Sequence, residues 1–428
     1  MHESAEVARE AQEEEFTLQP QLAYHPPIWR NRNFVLLWSG QIISILGGQM
    51  AVLAYPLLIL SLTHSAAMAG LGPVFWTAPF ILFGLPAGAL VDRWNRKRVM
   101  LVCDFLRMVS VLIVPAAYLL HHVDMPLIYL AILGEGLGFC FFNLAEVSAL
   151  PLVASKAQLA EATAANEGGY AVTNTIGPGL AGAVISSLGT QLMGSMLALV
   201  IDGISYLASL LGLSLINIPF QEQREKPAEQ GSIWADVREG LVFLWGQKLI
   251  RIVWLWSAWN ALIYGPFQLA MIILIRHEFH DGARTIGLIF SIGGIGGIIG
   301  AAIGPKVKQS FRYGVILLSV VAVQGAATLI EGYAPNLIVL AAMQFVIMAG
   351  NPLWNVTQMS HRLSVIPDAL QGRVNACYRI AIFAAFPLGS AVGGVLLDHV
   401  SPRLLIGSMG VGALLSTAVV ATTMLRRA

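Results

Sequence analysis

Long apolar runs separated by short polar segments dominate this chain. A membrane-crossing helix needs about 20 mostly apolar residues, and a backbone in lipid must satisfy its N–H and C=O groups internally, which favours helices. Twelve runs reach this length, namely 33–61, 67–91, 98–120, 126–150, 159–187, 192–216, 249–275, 285–305, 314–334, 336–360, 373–397 and 403–425. The pattern predicts an all-α integral membrane protein with twelve transmembrane helices.

The polar segments divide the chain into parts. The longest connector, 218–248, has six runs on either side, which predicts an N-terminal six-helix bundle over 31–217 and a C-terminal one over 249–428. Residues 1–30 are acidic and polar, and they lack the apolar core of a signal peptide. Such a charged segment is expected to form a disordered tail.

The two halves also repeat at a constant offset of 212 residues. The shift aligns Gly84 with Gly296, Gly88 with Gly300, Asn143 with Asn355, Gly177 with Gly389 and Gly182 with Gly394. These pairs come from three separate helix pairs, so the offset indicates an internal duplication. It predicts two pseudo-symmetric bundles related by an axis along the membrane normal, with a substrate site near the midplane between them.

Composition agrees with a membrane protein and argues against other classes. The chain is 56% hydrophobic and 11% charged, against roughly 25% charged residues in soluble domains. A net charge of +1 gives no indication of nucleic-acid binding. The three cysteines lie within apolar runs at spacings that metal sites do not use, so no metal and no disulfide framework are expected.

The distribution of bases predicts the orientation. Of 25 Lys and Arg residues, Arg276, Arg284 and Arg403 fall in loops on one side, and Arg107 and Arg379 fall within spans. The remaining 20 lie on the opposite side, and cytoplasmic loops are the ones enriched in bases. Both termini are therefore expected in the cytoplasm.

Between the second and third runs, the segment Gly88–Arg98 (GALVDRWNRKR) joins a glycine-spaced helix end to Asp92 and a cluster of bases. It resembles the signature loop between the second and third helices of the major facilitator superfamily. One branch is also suggested by Gln41 and Ser44, by Thr63–Ser65, by Asp104–Arg107 and by Pro367–Val374. The chain resembles the bacterial exporters of that superfamily that include enterobactin exporters and macrolide efflux pumps.

The resemblance implies a multi-pass secondary transporter of a bacterial inner membrane. Export of a drug-like or siderophore-like solute would be driven by a proton gradient through alternating access, without a cofactor. The expected partners are the solute, protons and the lipid bilayer, and the protein would act as a monomer. The sequence leaves open an importer or facilitator of a small metabolite, and, with less support, a membrane-embedded enzyme or receptor.

Two departures from the family pattern concern acidic positions. Gly304 stands in the second half where the first half has Asp92, so the carboxylate occurs in one half only. Glu146 lies where this branch often has a proline and a base, so no role can be transferred to it.

Asp92 is expected to face the start of the eleventh helix and to accept its free N–H groups, a contact worth roughly 0.3–1 kcal/mol when exposed and up to about 2 when partly buried. We interpret it as a latch that closes the cytoplasmic side, with a plain surface loop as the alternative. The predicted gating residues are Gly88, Asp92, Arg93, Arg96, Lys97, Arg98, Asp104, Arg107, Gly372 and Arg373. Asp104 and Arg107, three residues apart, are expected to form an ion pair within one helix.

Glu135 is the strongest candidate for proton coupling. It lies about 14 Å from the outer end of the fourth helix, near the midplane, and shares a helix face with Phe139, Phe142 and Glu146. An unpaired carboxyl group at that depth suits a group that exchanges a proton; the alternative is a carboxyl satisfied by its neighbours. Asp202, followed by a stripe of Ser and Tyr side chains, and Glu146 are weaker candidates. Glu167 and Arg379 occupy equivalent repeat positions, where pairing and separate solvated roles are equally open.

The resemblance implies that the first, fourth, seventh and tenth helices line the cavity. The predicted wall combines aromatic and amide side chains, which suit a large, partly apolar solute: Gln41, Ser44, Tyr55, Phe139, Phe142, Asn143, Trp256, Trp259, Asn260, Tyr264, Trp354, Asn355 and Gln358. The tryptophans could instead face lipid, their commoner use. In the fifth helix, Gly177, Pro178 and Gly182 resemble the bend motif of the antiporter branch, where proline removes a helix donor and glycines permit close packing.

Overall fold

The computed structural model describes residues 27–155, 157–218, 220 and 233–427. The predicted tail falls outside this part up to residue 26. Every apolar run predicted from the sequence forms a helix, and the helices bounded by the structure are α1 (Arg32–Thr63), α2 (Ala66–Gly70 and Gly72–Arg93), α3 (Arg96–Leu119), α4 (Met125–Val153), α5 (Leu159–Ile185), α6 (Gln191–Leu215), α7 (Lys248–Tyr264 and Phe267–Glu278), α8 (Ala283–Ser310), α9 (Tyr313–Gly332), α10 (Leu337–Val365), α11 (Asp368–Leu397) and α12 (Pro402–Ala421).

Eleven of these helices are long and apolar enough to cross a membrane. The remaining one, α5, has 27 residues but carries polar side chains such as Asn166, Glu167 and Asn174. It crosses the same thickness, because α4 ends on one side of the protein and α6 begins on the other. The fold is therefore all-α, with twelve membrane-crossing helices.

Side chains that follow the turns fix where several helices begin. The first N–H groups of a helix have no intrahelical partner, and short polar side chains accept from them. Asn31 caps α1, Asn95 caps α3, Asp124 caps α4 and Asn336 caps α10. Asn95, which replaces the glycine usual in the signature loop, accepts from the Arg98 N–H at 3.1 Å.

Two helices are interrupted where the sequence carries glycine and proline. In α2 the break lies at Leu71, between Gly70 and Gly72, and Pro73 follows. In α7 it lies at Gly265 and Pro266, because proline has no N–H to donate and its ring clashes with the preceding turn. At Gly265 a side chain would meet the Phe386 carbonyl oxygen at 2.3 Å, so the break lets α7 pack directly on α11.

The polar connector contains a helix that the hydrophobic pattern did not predict, Ile233–Gly246. It packs against the first turns of α11. There Glu239 forms an ion pair with Arg373, and the Cys377 thiol donates to the Val237 carbonyl at 3.5 Å. The connector is therefore attached to the second half of the protein.

The helix packing has the predicted two-fold pattern. In the first half α2 and α3 pack on α4, and α3 packs on α6; in the second half α8 and α9 pack on α10, and α9 packs on α12. The halves meet through α5 against α8 and through α2 against α11. Adding six to each helix number converts one set of contacts into the other, as expected for duplicated bundles.

Candidate transport pathway

The two ends of the protein differ in charge, and we name them accordingly. The basic end carries the α2–α3 turn with Arg93, Lys97 and Arg98, together with Lys306 and Lys308 at the end of α8. The far end carries the loops that precede α2 and α8 and the loop that follows α11.

A cavity of about 1080 Å³ lies between the two halves. It is lined by α1 and α5 from the first half and by α7, α8, α9, α10 and α11 from the second. Its wall includes six aromatic side chains, Tyr170, Tyr264, Phe267, Phe290, Trp354 and Phe386, and eight amides, Gln49, Asn174, Asn260, Gln268, Gln324, Gln344, Asn351 and Asn355. The volume suits a large organic solute, since drug-sized ligand sites occupy about 300–1000 Å³.

At the far end α5 and α8 touch backbone to backbone. A side chain on Gly182 would meet the Ala283 carbonyl oxygen at 2.3 Å, and one on Gly287 would meet the Pro178 carbonyl oxygen at 2.2 Å. The Ser291 hydroxyl also accepts from the Gly179 N–H at 2.9 Å, next to Pro178, where the helix has lost a donor. Glycine is required here for close approach, as at other tight helix crossings in membranes.

The symmetric contact between α2 and α11 closes the far end on the other side. The Ser390 hydroxyl donates to the Gly70 carbonyl at 3.0 Å, and a side chain on Gly394 would meet the Ala66 carbonyl oxygen at 2.7 Å. Asp398, just after α11, accepts from the Ser65 hydroxyl at 2.9 Å, the Ala66 N–H at 2.6 Å and the Ala67 N–H at 3.2 Å. A carboxylate of the second half thus caps a helix of the first.

Toward the basic end the same helices separate. A side chain built on Gly84, Gly88, Gly168 or Gly372 would meet no atom of the described residues within 4 Å. Between α2, α4 and α11 lies a second cavity of about 240 Å³, bordered by Gly84, Asn143 and Gly372. The halves therefore touch at the far end and diverge at the basic end.

Replacing Asp398 with Asn should favour opening of the far end. The amide keeps its size but loses the charge that three donors share, and hydrogen bonds to a charged group contribute about 1.5–3 kcal/mol each. We expect the far-end-open population to rise about tenfold, a shift of about 1.4 kcal/mol. Distances between spin labels placed at Ala67 and His399 measure this; unchanged distance distributions would contradict it.

A cluster of charged side chains lies inside the first half, away from the larger cavity. Asp104 and Arg107 of α3, Glu135 of α4 and Asp202 of α6 are all buried. Arg107 lies 3.6 Å from the Asp104 carboxylate, so the predicted ion pair is present. Glu135 and Asp202 interact with each other and with Arg107. Buried carboxyl groups therefore outnumber the one guanidinium group near them, which pairs directly with Asp104.

Glycine and aromatic residues make room for this cluster. The stem of Arg107 crosses Gly138 of α4, where a side chain would lie 2.5 Å from it, and Asp202 faces Gly47 of α1. The guanidinium lies 4.3 Å from the centre of the Tyr206 ring, a cation–π contact. Helices α1, α3, α4 and α6 thus all contribute to the cluster.

The first-half residues predicted for the cavity wall lie elsewhere in this conformation. Gln41, Ser44 and Tyr55 of α1 and Phe142 of α4 are buried. The α4 face that carries Glu135 and Phe142 is turned toward the buried cluster, with the Arg107 guanidinium 5.9 Å from the Phe142 ring. Phe139 packs on Trp76 and Phe80 of α2, with ring centres 5.4 and 5.8 Å away. Of the predicted α4 residues, Asn143 borders the smaller cavity.

The second-half residues divide into three groups. Asn260, Tyr264, Trp354 and Asn355 line the larger cavity. Trp256 and Gln358 are buried behind it: Trp256 donates to the Ser416 hydroxyl of α12 at 3.0 Å, and Gln358 donates to the Ser257 hydroxyl at 2.9 Å and to Tyr378. Trp259 is on the outer surface, 47% exposed. Trp256, Trp259 and Asn260 are close in sequence but point to different sides of α7, so the rotation of α7 about its axis decides which of them reaches the cavity.

The structure also places in the cavity a helix that the resemblance did not include. Glu167, Tyr170, Asn174 and Pro178 of α5 line it. Their spacing of three, four and four residues puts them on one helix face, so the signal was present in the sequence. Glu167 and Arg379 lie in different cavities, and Arg379 rests over the Phe383 ring at 5.5 Å.

The predicted gating segment is only partly described. Lys97 donates to the Ile216 and Ser214 carbonyls at 2.7 and 3.2 Å, so this base holds the end of α6. Arg373 pairs with Glu239 of the connector helix. The Asp92 side chain lies outside the described residues, so its contact with α11 stays a prediction.

Comparison with known proteins identifies the family. The model of the transmembrane secretion effector family, a branch of the major facilitator superfamily, matches residues 23–428. The chain belongs to this family. It is 27% identical over 388 residues to the multidrug efflux pump Tap of Mycolicibacterium fortuitum, covering 85% of this chain and 91% of Tap.

Two further comparisons agree with this assignment. The chain is 21% identical over 375 residues to macrolide efflux protein A of Streptococcus pyogenes, covering 86% of this chain and 90% of that protein. The crystal structure of a bacterial homologue of the iron transporter ferroportin in its inward-facing state superposes with a TM-score of 0.72 at 16% identity, covering 91% of this chain and 98% of that one. The protein is therefore a major facilitator transporter of a bacterial membrane, related to efflux pumps and not to enzymes.

Proposed function

We propose that this transporter exports a drug-like solute in exchange for protons, by alternating access between its two ends. The observation that carries the proposal is the burial of Asp104, Glu135 and Asp202 together with Arg107 inside the first half, where Arg107 pairs with Asp104. The transporter fold and the relation to efflux pumps support the direction of transport, and the cluster supports the coupling to protons.

Charge balance supports a proton-binding role for the cluster. With all four groups ionised, a buried region would carry two uncompensated negative charges, and burying unpaired charge is strongly unfavourable. Neighbouring carboxyl groups that cannot both ionise at low cost share protons instead. Glu135 and Asp202, which repel each other, are the pair best placed to take up and release a proton.

The position of the cluster suggests how proton binding could change the conformation. Helices α1, α3, α4 and α6 all meet at the cluster, and α1 also lines the larger cavity through Gln49, Val52 and Leu53. A change of charge inside the bundle alters how these helices pack, because charged and neutral carboxyl groups require different neighbours. The far-end contacts of Gly182 and Asp398 are the ones that would have to open.

We further propose that the basic end faces the cytoplasm. Cytoplasmic loops of membrane proteins are enriched in Lys and Arg, and Arg93, Lys97, Arg98, Lys306 and Lys308 lie at this end. Both α1 and α12 have a terminus there, so both ends of the chain would be cytoplasmic. In the conformation observed, the solute would bind from the cytoplasm; the transporter would act as a monomer and use no cofactor.

Accumulation of ethidium and of the uncharged drug chloramphenicol in cells with and without the protein tests the proposal. Expressing cells should hold less of a transported compound, and a proton uncoupler should abolish the difference. An equal steady-state level in both kinds of cell would indicate a facilitator, which only equilibrates the solute, and higher accumulation in expressing cells would indicate an importer. Either result would contradict proton-driven export.

A further inference from the structure

We propose that the larger cavity selects solutes that carry a positive charge and disfavours anions, with Glu167 as the residue that determines this preference. The inference rests on the proposed function, since it concerns the solute that the same cavity would carry. It distinguishes drug-like from siderophore-like solutes, the two classes between which the family resemblance does not decide.

The charge of the lining is the first observation. Among the described residues that line the cavity, Glu167 is the one ionisable acid, and no Lys, Arg or His borders it. The remaining polar groups are amides and hydroxyls, which are neutral. A cavity of this kind has a negative potential, and low-dielectric walls focus such a field on the solute.

Glu167 is placed so that it can meet a solute. Its side chain is exposed within the described structure, and it lies eight residues from the start of α5, about 12 Å into the protein from the basic end. Asp104, Glu135 and Asp202 are in contrast buried within the first half. Glu167 therefore differs from the proposed coupling groups in both position and access.

The aromatic side chains in the same cavity match a cation that also has apolar surface. Tyr170, one turn away on α5, lines the same cavity as Glu167. Trp354, on the opposite wall, is held by an edge-to-face contact with Trp256, the ring centres being 5.2 Å apart. The faces of such rings attract cations, with Trp and Tyr the strongest. A fixed carboxylate and aromatic faces in one cavity favour a lipophilic cation.

The amides in the wall add hydrogen bonding without charge. Gln49 donates to Asn174 at 2.6 Å and Gln324 donates to Asn351 at 2.9 Å, so two amide pairs hold their orientation before a solute arrives. They can bind hydroxyl and carbonyl groups of a polyfunctional solute.

Among the described residues that line this cavity, anionic solutes meet no compensating base. Siderophore-like molecules that bind iron through carboxylates or catecholates require bases for recognition, because burying an unpaired anion is unfavourable. Arg379, which could supply a positive charge, lies in the smaller cavity on the other side of α11, over the Phe383 ring. The lining of the larger cavity therefore disfavours anionic, siderophore-like solutes.

Tetraphenylphosphonium and tetraphenylborate provide a matched test, because they have the same shape and opposite charge. We would measure the binding of each to the purified full-length protein in nanodiscs of uncharged lipid. The wild type should bind the phosphonium more tightly than the borate. Glu167→Gln should weaken phosphonium binding about five- to tenfold and reduce the preference between the two ions.

Glu161→Gln is the matched control, because it removes the same charge from the same helix outside the cavity, where Glu161 accepts from the Ile28 N–H at 3.1 Å. It should leave the preference unchanged. The inference would be overturned if the wild type bound both ions equally or if Glu167→Gln kept the preference of the wild type. It would also be overturned if the control lost the preference. Because binding is measured without a proton gradient, none of these results depends on whether transport is proton-driven.

Discussion

Replacing Glu135 with Gln should abolish export against a concentration gradient while exchange of solute across the membrane continues. Glutamine has nearly the same size, so the packing of α4 is preserved, but it cannot bind and release a proton. The remaining cluster of Asp104, Arg107 and Asp202 is then closer to neutrality, which removes the protonation step without opening a cavity. Transport that does not require net proton movement should therefore persist.

The measurement uses proteoliposomes with an imposed pH gradient. Uphill transport should fall to the level of empty vesicles, whereas exchange between labelled and unlabelled solute at equal pH should remain near that of the wild type. Asp124→Asn at the start of the same helix is the control, because asparagine also caps helices well and the Asp124 carboxylate accepts from the Leu127 N–H at 3.0 Å. Equal losses of uphill transport and exchange would indicate a structural role for Glu135 and contradict the coupling role.

Replacing Gly182 with Val should have an effect of similar size through a different step. The first side-chain carbon would lie 2.3 Å from the Ala283 carbonyl oxygen, which belongs to the backbone and cannot move aside alone. Overpacking of this kind costs about 1–3 kcal/mol even where side chains can adjust. Because the clash exists only while α5 and α8 touch, the substitution destabilises the far-end-closed state selectively.

We expect export by Gly182→Val to fall by at least about tenfold, with the protein still inserted and folded. Spin labels on Leu188→Cys and Gly282→Cys, which flank the α5–α8 contact, should report a longer distance than in the parent protein. Gly189→Ala, also at the far end, has open space around the added carbon and serves as the control. Normal export with an unchanged label distance would show that α5 and α8 can separate and rejoin despite the side chain.

The position of the cavity wall illustrates what the hydrophobic pattern cannot supply. A helix surrounded by protein and lipid is apolar on most of its surface, so periodicity alone does not give its rotation about its own axis. The polar face of α4 was therefore assigned to the cavity, whereas the structure turns it toward Arg107. The polar stripe of α5 from Glu167 to Pro178 was visible in the sequence, but nothing in the sequence identified which neighbour it faces.

Contacts between segments that are distant in the sequence could not be predicted either. Asp398 follows α11 and caps α2, more than 330 residues earlier, and no local signal links the two. The connector helix Ile233–Gly246 is held by its contact with α11, including the Glu239–Arg373 pair, in a segment whose composition indicated a polar linker.

The sequence by itself determined the twelve helices, their approximate ends, the division into two related halves and the family. The helices could be predicted because a backbone in lipid must satisfy its N–H and C=O groups within the segment. The two halves could be recognised because duplicated segments keep their residue spacing. The tertiary structure alone decided which faces line the cavity, which carboxyl groups meet around Arg107 and which end is closed. Those features depend on the rotation of each helix about its axis and on the angles at which helices cross. Contacts between side chains far apart in the sequence determine both the rotations and the crossing angles.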